Sequence, residues 1–567
     1  MNNEFSLLHP AGYNEPAPFI WGENALVDLD LEAIAIALGI HPQYREAVKA
    51  TLSHPSADAH VIEYRQEILD DFLNSNSLLA SLDELLPLLA RLRDSLTTSS
   101  RSGELSLKET LGRLTELHTY TTCVRKLETV LAEAGAGLHS QGLCNLRDGL
   151  KEITAEETFQ SLEKTLPDLL SRLKGIPSIT IGINLDHELR PVQATLLSVN
   201  DKPFKGGSLL QRLMGSKASV KEDQGIAPLH SVPYSQVTDG LRVVSTPARI
   251  DPMMVPLFKD LFKLLQSVIS PISAALKQYA RVNANFLAAL EEQIAFYLGA
   301  ARLTRTLREH GLPMCRPQIL PMQERACEMQ GMFNLALALD LRHQKPDLRG
   351  IVVQNDVSFG AQGRIFILTG PNQGGKTVYT QAVGIAQMLF QAGLYVPAES
   401  ARMSPVDGIY THFASEEKSI RGMGRLSEES QRLNDIFRSA TSHGLVLLNE
   451  SLASTSAGES LYLARDIIRA LRLFGVRAIF ATHLHELAEE AGTINSETPG
   501  DSLIASLVAE VESQTEEADE FVPRTYKIKP GPPRGLSYAK GIATRYGISF
   551  EQLSGYWQER QKQQIGK

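Results

Sequence analysis

Apolar residues recur at helical intervals over 31–50, 60–95 and 104–174, and the first part of the chain reads as a succession of helices. In the second stretch Val61, Ile62, Tyr64, Ile68, Leu69, Phe72 and Leu73 share one face, while Glu63, Arg65, Glu67 and Asp70 fall elsewhere. The texture changes at Pro177. Ile179, Ile181, Ile183 and Leu185 alternate with polar or small residues, and Ala194–Val199 follows as a second candidate strand. Helical spacing returns from Pro256 to Leu312, with a stripe from Leu257 through Leu264 and Val268 to Leu276 and a kink expected at Pro271. From about 346 short apolar runs alternate with helical patterns: Arg364–Leu368, Thr377–Gln391, Gly444–Leu448, Gly458–Leu473 and Ala478–Ala481. That alternation is α/β organisation with a mostly parallel sheet.

Three divisions follow: an N-terminal extension over 1–30, an elongated, mainly helical domain over 31–345, and an α/β domain over 346–567. The helical domain carries a β-excursion and a basic loop at about 177–250. That loop holds Lys202, Lys205, Arg212, Lys217 and Lys221 among Gly and Ser. It reads either as a contact for a phosphate backbone or as an ordinary solvated surface. An acidic stretch between Glu486 and Glu520 surrounds a short candidate strand at Leu503–Val511.

Composition narrows the picture modestly. With 567 residues, 43% hydrophobic and 21% charged, the chain is long enough for several cores and is neither fibrous nor wholly disordered. No apolar run approaches the roughly 20 residues that cross a bilayer, and Met1–Pro10 lacks the pattern of a secretory signal, so a cytoplasmic protein is expected. Four scattered cysteines form no CxxC pair. A net charge of −9 argues against a surface coated with phosphate-binding groups, although a local basic surface suffices to hold DNA.

The chemistry is concentrated in Gly370-Pro371-Asn372-Gln373-Gly374-Gly375-Lys376-Thr377, a G-x-x-x-x-G-K-T run directly after the strand-like Ile365–Leu368. Its glycines let backbone N–H groups turn toward phosphate oxygens. Lys376 supplies a cation for the β- and γ-phosphates, and the Thr377 hydroxyl is a magnesium ligand. A second run, Leu445–Leu448, ends in Asn449-Glu450. Glu450 is the candidate general base that orients the attacking water. Asn449 stands where such ATPases place an acid, and a neutral amide on the magnesium side points to slow hydrolysis. A third run closes on Thr482-His483-Leu484-His485, with His483 as candidate γ-phosphate sensor and His485 structural; metal binding by the His-x-His pair is the less favoured reading.

With these elements in order, Ile365–Leu487 resembles the ATPase domain of the MutS mismatch-repair family, whose phosphate loop reads closely to GPNQGGKT. Leu394–Arg402 and the ATH-containing segment Phe480–Leu487 agree with it, and His60–Asn74 and Ala284–Arg305 look like helices of the family's lever domain, more weakly. The resemblance implies an ABC-type P-loop ATPase using ATP and Mg²⁺, preceded by a helical lever. It makes Asn355, of the Asn355-Asp356 pair, a contact to the nucleotide base. Ser427, in the loosely matching Ser419–Leu433 segment, becomes a contact to the neighbouring subunit's nucleotide. Gly535–Ala543 resembles the opening of a dimerising helix-turn-helix at about 531–567. The chain opens almost directly on lever-like helices without a Phe-x-Glu wedge, which implies a MutS-like protein without the mismatch-recognition domain and leaves mismatch specificity in doubt. Asn449 replaces the usual aspartate, and Leu452–Ser456 replaces a more glycine-rich continuation in which Thr455 and Ser456 still suit a dimer interface.

The function so implied is an ATP-switched homodimeric clamp on mismatched, branched or distorted DNA that signals to a downstream repair protein. Rival readings are a nucleotide-gated scaffold with little hydrolysis, an ATPase working on a ribosome or structured RNA, and, least favoured, a simple P-loop kinase.

Overall fold

The computed structural model describes residues 5–13, 18–98, 107–174, 178–200, 202–205, 237–239, 242–244, 270–279, 282, 284–371, 374–413, 425–452, 455–511, 524–533 and 547–565. Asn372 and Gln373, most of the basic loop, the first part of the 256–276 stripe, Gly422 and Gly424, and the helix-turn-helix opening at 535–543 lie outside them.

In chain order, strand β1 (Ile20–Trp21) precedes helices α1 (Ala25–Asp28), α2 (Leu31–Leu38), α3 (Arg45–Ser53), α4 (Ala59–Asn74) and α5 (Asn76–Thr98). Helices α6 (Leu107–Ala134), α7 (Gln141–Ala155) and α8 (Glu157–Lys174) lead to an antiparallel ribbon of β2 (Ser178–Leu185) and β3 (Pro191–Asn200). A second short pair, β4 (Val237–Asp239) and β5 (Arg242–Val244), is followed by a helix at 270–277 and by α9 (Asn285–Glu309). Then come β6 (Gln318–Ile319), β7 (Cys327–Met332), α10 (Leu335–Leu341), β8 (Asn355–Phe359), β9 (Ile365–Thr369) and α11 (Lys376–Gln391). The remainder is β10 (Ser400–Met403), β11 (Gly408–Phe413), α12 (Arg425–Ser439), β12 (Leu445–Asn449), α13 (Ala457–Phe474) and β13 (Arg477–Ala481). Helices α14 (His485–Glu489) and α15 (Ala491–Glu497), strands β14 (Ile504–Val511) and β15 (Arg524–Pro530), and α16 (Phe550–Ile565) complete it.

Compactness divides the chain differently from the boundaries expected at 30 and 345. One unit comprises Met1–Leu86, Val130–Leu146 and Ala289–Lys567; the other comprises Pro87–Thr129 and Arg147–Ala288. The reason lies at the start of the chain. β1 pairs in parallel with β11, and Gln381 of α11 donates to the Asp28 carbonyl at 2.9 Å. A Cβ on Gly384 would lie 2.4 Å from a Leu29 methyl, so α11 accepts this segment at a distance only glycine permits. The opening residues are therefore part of the α/β unit rather than an appendage to it.

That unit is built on a seven-stranded sheet in the order β1-β11-β12-β13-β9-β14-β15, parallel except for the last pair. Strands β9, β12 and β13 are buried along their whole length, with helices on both faces, which is why they read as continuous apolar runs. Ile365, Ile367, Val446, Leu448 and Phe480 share one core with Leu433, Ile436, Ile468 and Leu471 of α12 and α13. On the opposite face α11 lies against Leu447. A second sheet, β6-β10-β7-β8, is tied to the first through Arg477, whose fully buried guanidinium donates to the carbonyls of Ala326, Ser404 and Pro405 at 2.9–3.2 Å. Burial pulls its pKa down to about 10, so it remains a cation at pH 7, with both Nη atoms held by main-chain oxygens.

The other unit is a helical packing around Leu114, Leu117, Val124, Leu127, Leu162 and Leu166, all buried. Tyr120 meets Phe159 edge-on, and Arg125 forks onto Glu163 at 2.9 and 2.8 Å. Arg113 holds the end of the 270–279 segment through the carbonyls of Tyr279 and Val282. Lys202 and Lys205 of the expected basic loop follow the β2–β3 ribbon, where Leu189 and Leu197 are exposed.

Candidate functional site

The parallel order puts the C-terminal ends of β9, β12 and β13 side by side, and each carries one of the motifs read from the sequence. Crevices beyond the carboxyl ends of parallel strands are where open α/β sheets take their ligands. After β9 the chain enters the phosphate loop. Gly370 has φ +147°, and a Cβ there would lie 2.6 Å from that of Ala509; Gly375, with φ +88°, is the N-cap of α11. Both φ values favour glycine, and a side chain at Gly370 would also collide with Ala509.

Lys376 opens α11 and is 3% exposed. Its Nζ donates to the carbonyls of Gly370 (2.9 Å) and Pro371 (3.1 Å) and lies 3.9 Å from Glu450 Oε1. Burial lowers its pKa, against which the Glu450 carboxylate acts. Thr377 donates its hydroxyl to Asn449 Oδ1 at 3.1 Å. These are two neutral oxygen ligands of the kind a hard, largely hydrated Mg²⁺ accepts, so the residues fit that ion but bring it no charge.

Glu450, one residue beyond β12, receives the Nε2–H of His483 at 3.0 Å. Burial and nearby Lys376 lower the His483 pKa, with Glu450 working in the opposite direction, so the ring is neutral at pH 7. Lys376, Thr377, Asn449, Glu450 and His483 thus converge. Glu450 has φ +52° and Leu452 +68°, left-handed conformations that cost a non-glycine residue about 1–3 kcal/mol each. His485 lies in the first turn of α14, and among the described residues no His/Cys/Asp/Glu group is arranged to hold a metal.

A cavity of about 460 Å³ adjoins the loop, lined by Gly374, Gly375, Lys376, Thr377 and Glu450 on one side. Its other wall is apolar: Met332, Phe333, Leu337, Leu341, Ile351 and Val353. An anionic floor-binder joined to a flat apolar group is the ligand such a wall suits, and a nucleoside triphosphate has that form. Sequence reasoning missed Tyr526, which borders the cavity with its backbone at φ +53° and its side chain 44% exposed. Asn355 also lines the cavity, but its amide is engaged with β15: Nδ2 donates to the Tyr526 carbonyl at 3.1 Å, and Oδ1 accepts from the Ile528 amide at 2.7 Å. Both partners of the Asn355 amide therefore belong to β15, beside the cavity. Ser427 is exposed in the first turn of α12 and does not line the cavity. Thr455 and Ser456 cap α13, both bonded to Glu459.

Two family models match the chain: one described as the MutS2 N-terminal domain, over residues 57–310, and one described as MutS domain V, over residues 366–548. A protein named Endonuclease MutS2 from Lacticaseibacillus casei (strain BL23) is 24% identical over 449 residues, 73% of this chain and 53% of that protein. Another of that name, from Pelotomaculum thermopropionicum, is 29% identical over 410 residues, 68% of this chain and 48% of its own length. A DNA mismatch repair protein MutS from Caldanaerobacter subterraneus subsp. tengcongensis is 29% identical over 204 residues, 36% of this chain and 21% of that protein. The chain thus spans about half the length of the MutS2 relatives and about a fifth of the MutS protein. No helix among the described residues is long and apolar enough to cross a membrane. With its helical half matched as a MutS2 N-terminal domain and its phosphate loop inside a MutS domain V, the chain belongs to the MutS family.

Proposed function

We propose that this chain is a Mg²⁺-dependent ATPase whose nucleotide state switches a homodimeric clamp on branched or distorted DNA. The observation that carries the ATPase is the convergence of Lys376, Thr377, Asn449, Glu450 and His483 at adjacent strand ends beside a cavity with an apolar wall. The triphosphate lies along the loop amides with Lys376 facing its β- and γ-oxygens, and the base rests against Tyr526 and the apolar wall. Glu450 draws a proton from the attacking water, and His483 fixes that carboxylate and registers the γ-phosphate. Thr377 and Asn449 would hold magnesium, which when bound neutralises charge between the β- and γ-phosphates.

Pairing of two such units, with Ser427, Thr455 and Ser456 toward the neighbour, would let ATP select one arrangement and hydrolysis release it. The DNA reading rests on the MutS-named relatives, and deformability of a branched or distorted duplex supplies selectivity without base contacts. Structured RNA as the ligand is the rival reading, and the same measurement separates it from DNA.

Turnover measured with homoduplex, mismatched, four-way-junction DNA and structured RNA tests this choice. A several-fold rise with junction or mismatched DNA, and little with homoduplex, is expected; stimulation by RNA alone would replace the DNA reading. Asn449→Asp supplies the missing negative charge beside Thr377. Half-maximal turnover should then need roughly tenfold less Mg²⁺, since ligand charge sets affinity for hard cations. An unchanged magnesium titration would remove Asn449 from the metal side.

A further inference from the structure

Glu450 and Leu452 both stand in left-handed conformations, and a turn of this kind persists only where its surroundings over-determine it. From the β13 side, the Glu450 amide donates to the Ala481 carbonyl at 2.8 Å. From α13, Ser460 donates to the Leu452 carbonyl at 2.7 Å. The residue between them, Ser451, is 4% exposed and is held from the third side by a buried histidine of the sheet.

That histidine is His412 of β11, paired across the sheet with Leu448 of β12 and 1% exposed. Its Nδ1 lies 2.7 Å from Ser451 Oγ, and the Ser451 hydroxyl in turn donates to the His412 carbonyl at 3.4 Å. At 2.7 Å the contact is a hydrogen bond in either tautomer, Nδ1–H to Oγ or the hydroxyl to a bare Nδ1. Burial, aided by Arg432, brings the ring's pKa down to about 4, so it is neutral around pH 7. Nε2 has no hydrogen-bond partner among the described residues. Neither residue lines the nucleotide cavity. An apolar pair would fill this space without leaving a buried nitrogen unsatisfied. What His412 and Ser451 add is direction: a short bond that fixes the peptide immediately after Glu450.

We propose that the His412–Ser451 hydrogen bond is a positioning device for Glu450, holding the strained turn so that the carboxylate stays on the attacking water. The inference rests on Glu450 as the base. It is a refinement of that site, with both residues acting through the backbone.

The test uses the full chain with Ser451→Ala, His412→Phe, His412→Asn and the Ser451→Ala/His412→Phe double variant. Steady-state turnover, binding of a fluorescent ATP analogue and Tm are read for each. Misplacement of a catalytic group by about 1 Å costs up to roughly a hundredfold in rate. Ser451→Ala and His412→Phe should therefore lower kcat by about tenfold or more, with nucleotide affinity within about threefold of wild type. His412→Asn keeps an amide near the Nδ1 position that can donate to or accept from the Ser451 hydroxyl, and should recover most of the rate. The double variant should be no slower than the worse single one, because the two residues act as a unit. Unchanged kcat in both single variants, additive losses in the double, or a kcat loss matched by loss of ATP-analogue affinity and Tm would overturn the proposal. Absence of turnover in the wild-type chain overturns the ATPase reading along with it, whereas wild-type turnover that these variants leave intact overturns the positioning role alone.

Discussion

Lys376→Ala should raise the dissociation constant for ATP by roughly a hundred- to a thousandfold, about 3–4 kcal/mol, and abolish measurable turnover. The size follows from where the amine sits. A cation 3% exposed, ringed by the Gly370 and Pro371 carbonyls, works in a medium of low effective dielectric, where its attraction for a polyphosphate is far stronger than at a surface. The lowered pKa of Lys376 reports the same desolvation; triphosphate charge restores the preference for the protonated form. Lys376→Met is the companion variant, because it keeps the apolar stem and removes only the charge. Affinity for ATP lost in both variants with Tm nearly unchanged assigns the effect to charge. Retained affinity in either would mean that phosphates do not reach this loop.

Glu450→Gln should leave ATP binding within a few-fold of wild type and lower kcat by roughly 10²–10⁴, the range that a positioned general base contributes. The substitution is informative because Gln keeps an oxygen where His483 donates at 3.0 Å, so the local contact can persist while the basic carboxylate is gone. It also removes the negative charge 3.9 Å from Lys376, which does not weaken attraction for phosphate. Binding should therefore be preserved or slightly tighter. Quench-flow measurement of the hydrolysis step, separated from product release, gives the cleanest reading. Equal hydrolysis by the variant would move the base elsewhere, with His483 the nearest alternative.

Much of the α/β unit could be read from the chain because its signals are local. Ile365–Thr369, Leu445–Asn449 and Arg477–Ala481 are strands buried on both faces, so each appears as an uninterrupted apolar run ending in polar residues. The phosphate loop declares itself by glycines that its φ values require. What escaped notice depends on contacts far apart in sequence. Ile20–Trp21 is too short to show any period, and only its pairing with Gly408 and Ile409 makes it a strand. Asn355 bonds to β15, whose Tyr526 lies 171 positions away, a contact that its local sequence does not announce. Tyr526 lies beyond an acidic stretch that carries no pattern, and nothing nearby indicates that it returns to Gly375. His412 carries no motif of its own, and its meaning appears only when Ser451 is placed beside it.

The docking of the opening residues onto β11 and α11 has a consequence for how the chain is made. Asp28 bonds to Thr411 across a separation of 383 residues, so the first strand of the main sheet emerges during synthesis long before the strand it must pair with. Between them the second compact unit can form on its own, from residues that are nearer one another in sequence. The nucleotide unit must wait. Until β11 arrives, β1 has no strand to pair with. A fragment begun at residue 346 would have the opposite defect: it would carry the phosphate loop but leave the β11 edge open to pair with other chains.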